Sequence, residues 1–468
     1  MRKKKKHPLL HAIEITGYAA EGKALARVEG KVIFVSGAVP GDVADIQVTK
    51  SKKDWGEAVV KEIVKPSAQR VQPFCKHFGV CGGCKWQMLP YEKQLEYKQE
   101  EAEQNLRRIG KADLPQTMPI IGSEDTIFYR NKLEFTFSNK RFLTQDEIGT
   151  DKLLQRENAL GYHVPRIFDK VIDIHECWLM DGINNRIRNG IREYANLNSL
   201  EYYDIKAHTG WLRNIIIRKC TTGELMVNIC LNHEDQEARV KLLDHVMNIV
   251  PEITTLLYTI NPKWNDSIHD LDPQVYSGKG FVIEKLGDFN FIISPKSFFQ
   301  TNTKQAETLY TVARNFAGLK GMEIVYDLYC GTGSIGIFMS RGAKKIIGVE
   351  VIAEAIEDAK RNAALNNVEH AQFFAGDVID ICTDDFFNAH GKPDVVITDP
   401  PRAGMHEKLV MKLLDMAAPK IVYVSCNVAT QARDIALLSE KYLVEKVQPV
   451  DMFPHTHHIE SVVLLRLR

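Results

Sequence analysis

From about residue 291 onward, apolar strand-like runs alternate with helix-like segments, and this alternation constrains the fold more than any other feature of the chain. The first run, Ile324–Leu328, precedes a helix-like segment that begins at Ser334, and the run 346–350 precedes a second one over 353–366. Three further apolar runs follow at 372–374, 395–398 and 421–424. This alternation is typical of a doubly wound parallel sheet, which binds ligands at the carboxyl ends of its strands. The sequence therefore predicts an α/β, Rossmann-like domain over residues 291–468.

A glycine-rich turn follows the first of these strands, in the sequence Asp327-Leu328-Tyr329-Cys330-Gly331-Thr332-Gly333. Glycine permits a tight turn against which a ligand can lie. Glu350 ends the next strand, where a carboxylate can accept hydrogen bonds from ribose hydroxyls. Asp377 and Asp399 follow the third and fourth strands. This order is that of a methyltransferase that uses S-adenosylmethionine. A nicotinamide cofactor is the alternative, although no partner for hydride chemistry is evident.

Cys426 directly follows the predicted strand 421–424, at the sheet edge where this fold carries out its chemistry. A lone cysteine there is more often a small core residue. Its flanking residues, Ser425 and Asn427, and the upstream sequence Asp399-Pro400-Pro401-Arg402 favour a nucleophile instead. Glu460 begins an apolar strand, and burial there would raise its pKa and make it a better base. The alternative for Glu460 is a surface carboxylate at a strand start.

Residues 10 to 65 contain short alternating runs at 13–15, 32–35, 44–48 and 58–60, separated by glycine, proline and Asp54-Trp55-Gly56. About five strands in this length match an OB-type β-barrel, which often binds oligonucleotides. We therefore predict a barrel over residues 1–66. A purely structural barrel is the alternative. Residues 67–290 mix strand-like runs with short helices and predict a central α+β domain.

Length and charge place few limits on the function. The 468 residues predict two or three domains, and no apolar run approaches the length of a membrane span. The chain has 60 Lys and Arg against 60 Asp and Glu, but residues 1–66 carry a net charge of +5, which suits phosphate contacts. The basic start at residues 2–6 is not followed by an apolar segment, so we expect a cytoplasmic protein without a secretory signal. No membrane or protein partner is implied.

Four of the nine cysteines have ligand-like spacing: Cys75, Cys81 and Cys84 lie close together, and Cys177 is remote. Three near thiolates and one distant thiolate suit a 4Fe-4S cluster, and Gly82 and Gly83 would let the backbone wrap around it. Structural zinc is the alternative, because four cysteines also make a tetrahedral zinc site. The remaining candidates, His455, His457 and His458, lack a carboxylate or cysteine partner set nearby. Cys220, Cys230 and Cys382 are interpreted as interior residues.

Taken together, the motifs resemble the RNA uracil-5-methyltransferase family, a class I family dependent on S-adenosylmethionine, over nearly the whole chain. The matching pieces are Ser297-Phe298-Phe299-Gln300-Thr301-Asn302, the turn after Asp327, Asp399-Pro400-Pro401-Arg402-Ala403-Gly404, Tyr423-Val424-Ser425-Cys426-Asn427, and Met452-Phe453-Pro454-His455-Thr456 with His458-Ile459-Glu460. The N-terminal pattern, with Gly17, Gly22 and Pro40-Gly41-Asp42, resembles the TRAM domain of RNA-modifying enzymes.

This resemblance implies specific roles. Cys426 would be the nucleophile and Glu460 the proton acceptor, while Gln300, Tyr329, Glu350 and Asp399 would contact S-adenosylmethionine. The cysteine set resembles that of the subgroup that carries a 4Fe-4S cluster, and the implied substrate is a uridine of 23S ribosomal RNA. A transfer-RNA uracil-5-methyltransferase is the alternative within the family. The alternative from another class is an inactive RNA-binding assembly factor, and the intact Cys426 and Glu460 speak against it.

Overall fold

The computed structural model describes residues 7–111, 114–144, 147–148 and 158–468. The basic start at residues 2–6 lies outside the described residues. Two seven-stranded sheets, one six-stranded sheet and a separate two-stranded hairpin follow one another along the chain. Within the described ranges, no helix combines the length and the apolar character that crossing a membrane requires.

The first sheet contains the strands β1 Leu9–Glu14, β2 Gly17–Tyr18, β3 Ala24–Val28, β4 Lys31–Ser36, β5 Val43–Ser51 and β6 Trp55–Lys65. Its spatial order is β1-β5-β6-β4-β3-β2, in which only β4 and β6 pair in parallel. Every second residue of β5 is buried from Ala44 to Val48, because successive side chains of a strand point to opposite faces. The strand runs expected at 32–35, 44–48 and 58–60 are confirmed.

The second sheet contains β7 Lys132–Ser138, β8 Ala159–Val164, β9 Ile167–Asp173, β10 Leu212–Lys219, β11 Leu225–Leu231, β12 Thr255–Ile260 and β13 Gln274–Gly278. The helices of this region are α1 Tyr91–Arg108, α2 Gly182–Leu197 and α3 Gln236–Ile249. The order β13-β12-β11-β10-β7-β8-β9 is antiparallel except between β11 and β12, which α3 connects. Apolar residues of α2 and α3 share a core with this sheet, which gives the expected α+β arrangement.

The C-terminal region begins with the hairpin β14 Val282–Leu286 and β15 Phe289–Ile293. Its main sheet contains β16 Ile324–Leu328, β17 Lys345–Glu350, β18 Ala371–Ala375, β19 Val395–Thr398, β20 Lys420–Ser425, β21 Tyr442–Val450 and β22 Glu460–Leu467. The helices are α4 Thr303–Ala317, α5 Ser334–Met339, α6 Ala353–Leu365, α7 Val378–Ile381, α8 Asp384–His390, α9 Glu407–Met416 and α10 Val428–Leu438. The strand order is β18-β17-β16-β19-β20-β22-β21.

The first five strands of that order are parallel, and β22 runs antiparallel to both β20 and β21. Two apolar cores cover this sheet, which explains the continuous apolar runs in its central strands. The predicted α/β, Rossmann-like fold is confirmed. Parallel strands bring their carboxyl ends to one edge, and the candidate site residues therefore meet there.

The regions pack closely on one another. Helix α1 lies before the second sheet in sequence, yet it packs on α10, and its Ala102 and Leu106 belong to a core of the C-terminal sheet. The hairpin β14–β15 also shares a core with that sheet. The boundary expected at residue 290 therefore falls inside β15, and the boundaries at residues 66 and 290 stay predictions.

Candidate active site

The glycine-rich turn connects β16 to α5 through a run of left-handed backbone. Tyr329, Gly331 and Gly333 have φ angles of 62°, 52° and 76°. A side chain built on Gly331 would meet no atom within 4 Å, so open space lies above this residue. The Gly331 amide donates a hydrogen bond to Oε2 of Glu350 at 3.2 Å. The turn and the end of β17 thus place the Gly331 amide and the Glu350 carboxylate beside open space.

Acidic side chains lie at or just after the carboxyl ends of four parallel strands at this edge. Asp327 is fully buried and accepts a hydrogen bond from the Gly336 amide at 2.8 Å, and burial raises its pKa to about 7. Glu350 ends β17, and Asp377 caps α7 by accepting from the Ile379 amide. Asp399 follows β19, and burial raises its pKa to about 7. The charge of Asp377 also raises the pKa of Tyr329, after the larger effect of burial.

Gln300 approaches from outside the sheet. It lies in the loop between β15 and α4, where its backbone carbonyl accepts a hydrogen bond from Asn131 Nδ2 at 2.9 Å. Asn131 also donates from its backbone amide to the Thr301 carbonyl at 2.7 Å. The second sheet therefore fixes the backbone of this loop. The structure gathers Tyr329, Glu350, Asp377 and Asp399 at the strand ends, whereas no hydrogen bond among the described residues joins the Gln300 side chain to them.

The pairing of β20 with β22 brings Cys426 and Glu460 together. Ser425 pairs with Ser461 in this antiparallel register. Continuing the register by one residue sets Cys426 opposite Glu460, although 34 positions separate them in the sequence. Because Asp399 follows the neighbouring strand β19, all three groups lie at one sheet edge.

The three groups perturb one another electrostatically. Burial raises the pKa of the Cys426 thiol to about 11, and the charges of Glu460 and Asp399 act in the same direction. Glu460 is buried, and burial and Asp399 together hold its pKa well above the usual range. The Arg402 guanidinium opposes both shifts. A cysteine, a carboxyl group with a raised pKa and a cation form a set suited to nucleophilic and acid–base chemistry.

The backbone around Cys426 is held by Asn427, the N-cap of α10. Its Oδ1 accepts hydrogen bonds from the Ala429 and Thr430 amides, and its Nδ2 donates to the Arg402 carbonyl at 3.0 Å. The Arg402 side chain lies 3.3 Å from Nδ1 of His458. Arg402 therefore links the loop after β19 to the segment that precedes Glu460.

The segment 451–459, which leads into Glu460, is anchored by distant parts of the chain. Lys98 Nζ on α1 lies 2.7 Å from Asp451 Oδ1, and both side chains are fully buried. Tyr91 donates to the other oxygen of Asp451 at 2.9 Å. The His455 carbonyl accepts hydrogen bonds from the amides of Lys85 and Trp86. The start of β22, and with it Glu460, is thus positioned by the cysteine segment and by α1.

The expected iron–sulfur cysteines gather beside the second sheet. Cys177 is in its core, and Cys81 and Cys84 pack against it. Burial raises the pKa of Cys81 to about 12 and that of Cys84 to about 11, and neighbouring thiols of the set add to both shifts. Among the described residues, however, no group of three or more His, Cys, Asp or Glu side chains has metal-binding spacing. Cys220, Cys230 and Cys382 are buried, as expected.

Sequence reasoning missed several residues of the site. Nothing in the sequence signals the Lys98–Asp451 pair, because its members are 353 positions apart. Tyr310 on α4 was also missed. It is buried, its hydroxyl lies 3.0 Å from Ser334 Oγ, and the charges of Asp399, Asp327 and Glu460 contribute to the rise in its pKa, after burial. Arg402 belongs to a motif that the sequence displays, but its contact with His458 depends on the fold.

The parallel sheet, the glycine-rich turn and the acidic residues at the strand ends define a methyltransferase of the S-adenosylmethionine-dependent class. Sequence and structure comparisons give the family. Residues 281–468 match the tRNA (uracil-5-)-methyltransferase family, and residues 12–61 match the TRAM domain.

The relatives cover nearly the whole chain. An uncharacterized RNA methyltransferase of Bacteroides thetaiotaomicron is 55% identical over 96% of this chain and 100% of its own length. One of Porphyromonas gingivalis is 50% identical over 97% of this chain and 99% of its own length. The solved structure of the Pyrococcus abyssi tRNA (uracil-54, C5)-methyltransferase, in complex with S-adenosyl-L-homocysteine, matches with a TM-score of 0.74 and 27% identity, over 97% of this chain and 100% of that one. The chain belongs to the RNA uracil-5-methyltransferase family and carries a TRAM domain.

Proposed function

We propose that the protein methylates carbon 5 of a uridine in RNA, with Cys426 as the nucleophile and Glu460 as the base. Carbon 5 of uracil is too weak a nucleophile to take a methyl group unaided, so a thiolate must first add to carbon 6. The observation that carries the proposal is the β20–β22 register, which sets Cys426 opposite Glu460 beside Asp399.

The steps follow from this placement. The Cys426 thiolate forms a bond to carbon 6, and the electron pair of the 5,6 double bond moves toward carbon 5 and the carbonyl at carbon 4. Carbon 5 uses that electron pair to form a bond to the methyl group that S-adenosylmethionine would supply when bound, and the electron pair of the broken bond would stay on the sulfur of the donor. Glu460 then accepts the proton of carbon 5, the double bond re-forms, and the thiolate leaves.

We assign S-adenosylmethionine to the space above the glycine-rich turn. Glu350 would accept hydrogen bonds from the ribose, and Tyr329, Asp377, Asp399 and Gln300 would surround the rest of the ligand. The open space over Gly331 supports this assignment, as does S-adenosyl-L-homocysteine in the Pyrococcus abyssi relative. Because Tyr329, Glu350, Asp377 and Asp399 are contributed by separate strand ends, alanine at Glu350 should weaken binding of the cosubstrate without unfolding the sheet.

The proposed substrate is 23S ribosomal RNA in the cytoplasm. The TRAM domain and the cysteine set favour this choice. Transfer RNA is the second candidate, and the likeness to the Pyrococcus abyssi tRNA (uracil-54, C5)-methyltransferase favours it. A paired uridine is unreachable, so the enzyme acts on a loop or turns the base out of its helix.

Mapping 5-methyluridine in ribosomal and transfer RNA from cells with and without the gene separates these substrates. We expect one or more positions of 23S ribosomal RNA to lose the methyl group. Loss confined to transfer RNA would support the second candidate. If no position changes, and purified protein transfers no labelled methyl group to either RNA, the chain is an inactive RNA-binding factor instead.

We further propose that Cys75, Cys81, Cys84 and Cys177 hold a 4Fe-4S cluster. The side chains do not have metal-binding spacing in this structure, but the chemistry of the donors supports the proposal. Burial first, and the neighbouring thiols after it, raise the pKa values of Cys81 and Cys84, and a metal cation would favour their thiolate forms. The Gly83 amide, which donates to Cys81 Sγ at 3.4 Å, would also stabilise a thiolate. Protein purified without oxygen should contain iron and sulfide in near-equal amounts. Stoichiometric zinc without iron would show that the site is a structural zinc site.

A further inference from the structure

Phe128 is a bulky residue in a backbone conformation that such residues avoid. Its φ angle is 58°, and 44% of its surface is exposed. A left-handed aromatic residue is an outlier that the surrounding structure must enforce, and such outliers concentrate at functional sites. Here the Phe128 amide donates to the Trp178 carbonyl at 2.8 Å, and the Arg130 amide donates to the Leu179 carbonyl at 2.7 Å. Both bonds hold the segment beside the chain that follows Cys177.

The enforced conformation presents a braced aromatic ring at the surface. The Phe128 ring stacks on the Trp178 ring, with centroids 5.5 Å apart and planes 20° apart. Trp178 is supported in turn by Phe74, whose ring meets it edge-on at 5.7 Å. One face of the Phe128 ring is therefore occupied by Trp178, while 44% of the residue's surface stays exposed. A rigid aromatic ring with a free face is what an unpaired nucleobase stacks on.

A cleft of about 160 Å³ lies beside this ring, and its lining carries one more cation than carboxylates. Arg130, Lys219 and Lys304 contribute three cations to its lining, against the carboxylates of Asp125 and Asp181. The two lysines form ion pairs with these carboxylates at the exposed rim. Within the described part of the chain, Arg130 has no carboxylate at ion-pairing distance. The lining thus has an excess positive charge that can meet a phosphate.

The cleft is connected to the catalytic residues by direct contacts. Arg130 lies over the Phe453 ring at 5.1 Å, Phe453 meets His458 at 6.3 Å, and His458 contacts Arg402. Asn131, which also lines the cleft, holds the loop that contains Gln300. An RNA strand whose uridine reaches Cys426 can therefore extend along these side chains toward Phe128.

We propose that Phe128, braced by Trp178, is a stacking platform for an unpaired base of the same RNA strand, near the target uridine. This inference rests on the proposed function, because the RNA is placed by its uridine at Cys426. Base–aromatic stacking is tolerant of sequence, since every base has a π face. The platform therefore contributes affinity and orientation of the strand, and not recognition of one particular base.

Two substitutions separate the ring from the backbone strain. Phe128→Gly removes the ring and also the backbone strain, because glycine adopts a positive φ angle without steric cost. Phe128→Ala removes the ring but leaves the strained left-handed backbone. Both should weaken binding of a twelve-nucleotide single-stranded RNA of mixed sequence about tenfold. The matched control is Phe168→Ala, which removes a ring that is 65% exposed and faces Lys206 on another part of the second sheet. Unchanged affinity in both Phe128 variants, or an equal loss in the Phe168 control, would overturn the proposal.

A second measurement locates the base. RNA that carries 5-fluorouridine at the target position is trapped on Cys426, and 2-aminopurine is placed in turn at the neighbouring positions. At one of these positions, we expect the fluorescence of 2-aminopurine to be quenched in the adduct of the wild-type protein and restored in the adduct of the Phe128→Gly variant. An adduct in which no position responds to Phe128 would contradict the platform alone. Absence of any adduct, with tenfold weaker binding by the Phe128 variants, would contradict the thiolate mechanism and leave the platform supported.

Discussion

Replacing Lys98 by methionine removes one half of an ion pair that is completely buried between α1 and the segment leading to Glu460. Without Lys98, Asp451 keeps hydrogen bonds from the Tyr91 hydroxyl and the Phe453 amide, both at 2.9 Å, but it loses its only charged partner among the described residues. Breaking one side of a buried pair typically costs about 3–5 kcal/mol of folding free energy. Because two neutral donors remain, we expect a loss near the lower limit, about 3 kcal/mol.

The assay is urea unfolding followed by tryptophan fluorescence. Trp86 is a local reporter, because its ring centre lies 5.8 Å from Lys98 Nζ and the ring is fully buried. The double variant Lys98→Met with Asp451→Asn removes both charges and keeps an acceptor for Phe453, so it should unfold at a higher urea concentration than Lys98→Met alone. The control Lys93→Met breaks an exposed ion pair with Glu96 on the same helix and should hardly shift the transition. This reasoning would be refuted if Lys98→Met were as stable as the wild type. It would also be refuted if the double variant unfolded at no higher urea concentration than Lys98→Met.

Three further outcomes are expected. Alkylation of Cys426 by iodoacetamide, followed by peptide mass spectrometry, should accelerate about tenfold per pH unit up to a pH of about 11, because only the thiolate reacts. A rate that already levels off near pH 9, about where an ordinary cysteine is ionised, would show that burial does not raise the pKa of this thiol. Arg402→Met should slow the same alkylation at a given pH, since the guanidinium lowers the pKa of the Cys426 thiol; an unchanged rate would remove Arg402 from the electrostatics of the site. Lys52 and Lys53 are exposed at the β5–β6 turn. If each contacts a phosphate, replacing both by alanine should reduce the slope of log affinity for RNA against log salt concentration by about 2. An unchanged slope would exclude this turn from the RNA interface.

The sequence was sufficient where the structure depends on local patterns. Ile324–Leu328 and Val395–Thr398 are visible as strands because both faces of a parallel sheet are buried, which makes the runs continuously apolar. Helix α1 follows from a local pattern in the same way, since Ala102 and Leu106 repeat at helical spacing on its buried face. The acidic residues at the strand ends follow from the same pattern, because a strand that is recognised also shows where it ends.

What the sequence could not provide depends on pairing between distant segments. The position of Glu460 opposite Cys426 requires β22 to insert antiparallel between β20 and β21, and no local pattern specifies that order. In the hairpin β14–β15, buried and exposed residues alternate as in any half-buried hairpin. That pattern does not show which core the hairpin joins, and its packing on the C-terminal core is visible only in the structure. In the sequence, Lys98 is one of many charged residues of α1. Only the structure distinguishes it, through its buried contact with Asp451.

The most direct test of the central claim compares wild type, Cys426→Ala and Glu460→Gln on target RNA, with denaturing gels that reveal covalent protein–RNA complexes. Wild type should form such a complex with RNA containing 5-fluorouridine, because fluorine cannot leave carbon 5 as a cation. Glu460→Gln should accumulate a complex even on unmodified RNA, since it retains the nucleophile and lacks the base. Cys426→Ala should form neither complex and transfer no methyl group. Methylation by Cys426→Ala at a rate near that of wild type, or active wild-type enzyme that forms no complex with fluorinated RNA, would contradict the thiolate mechanism.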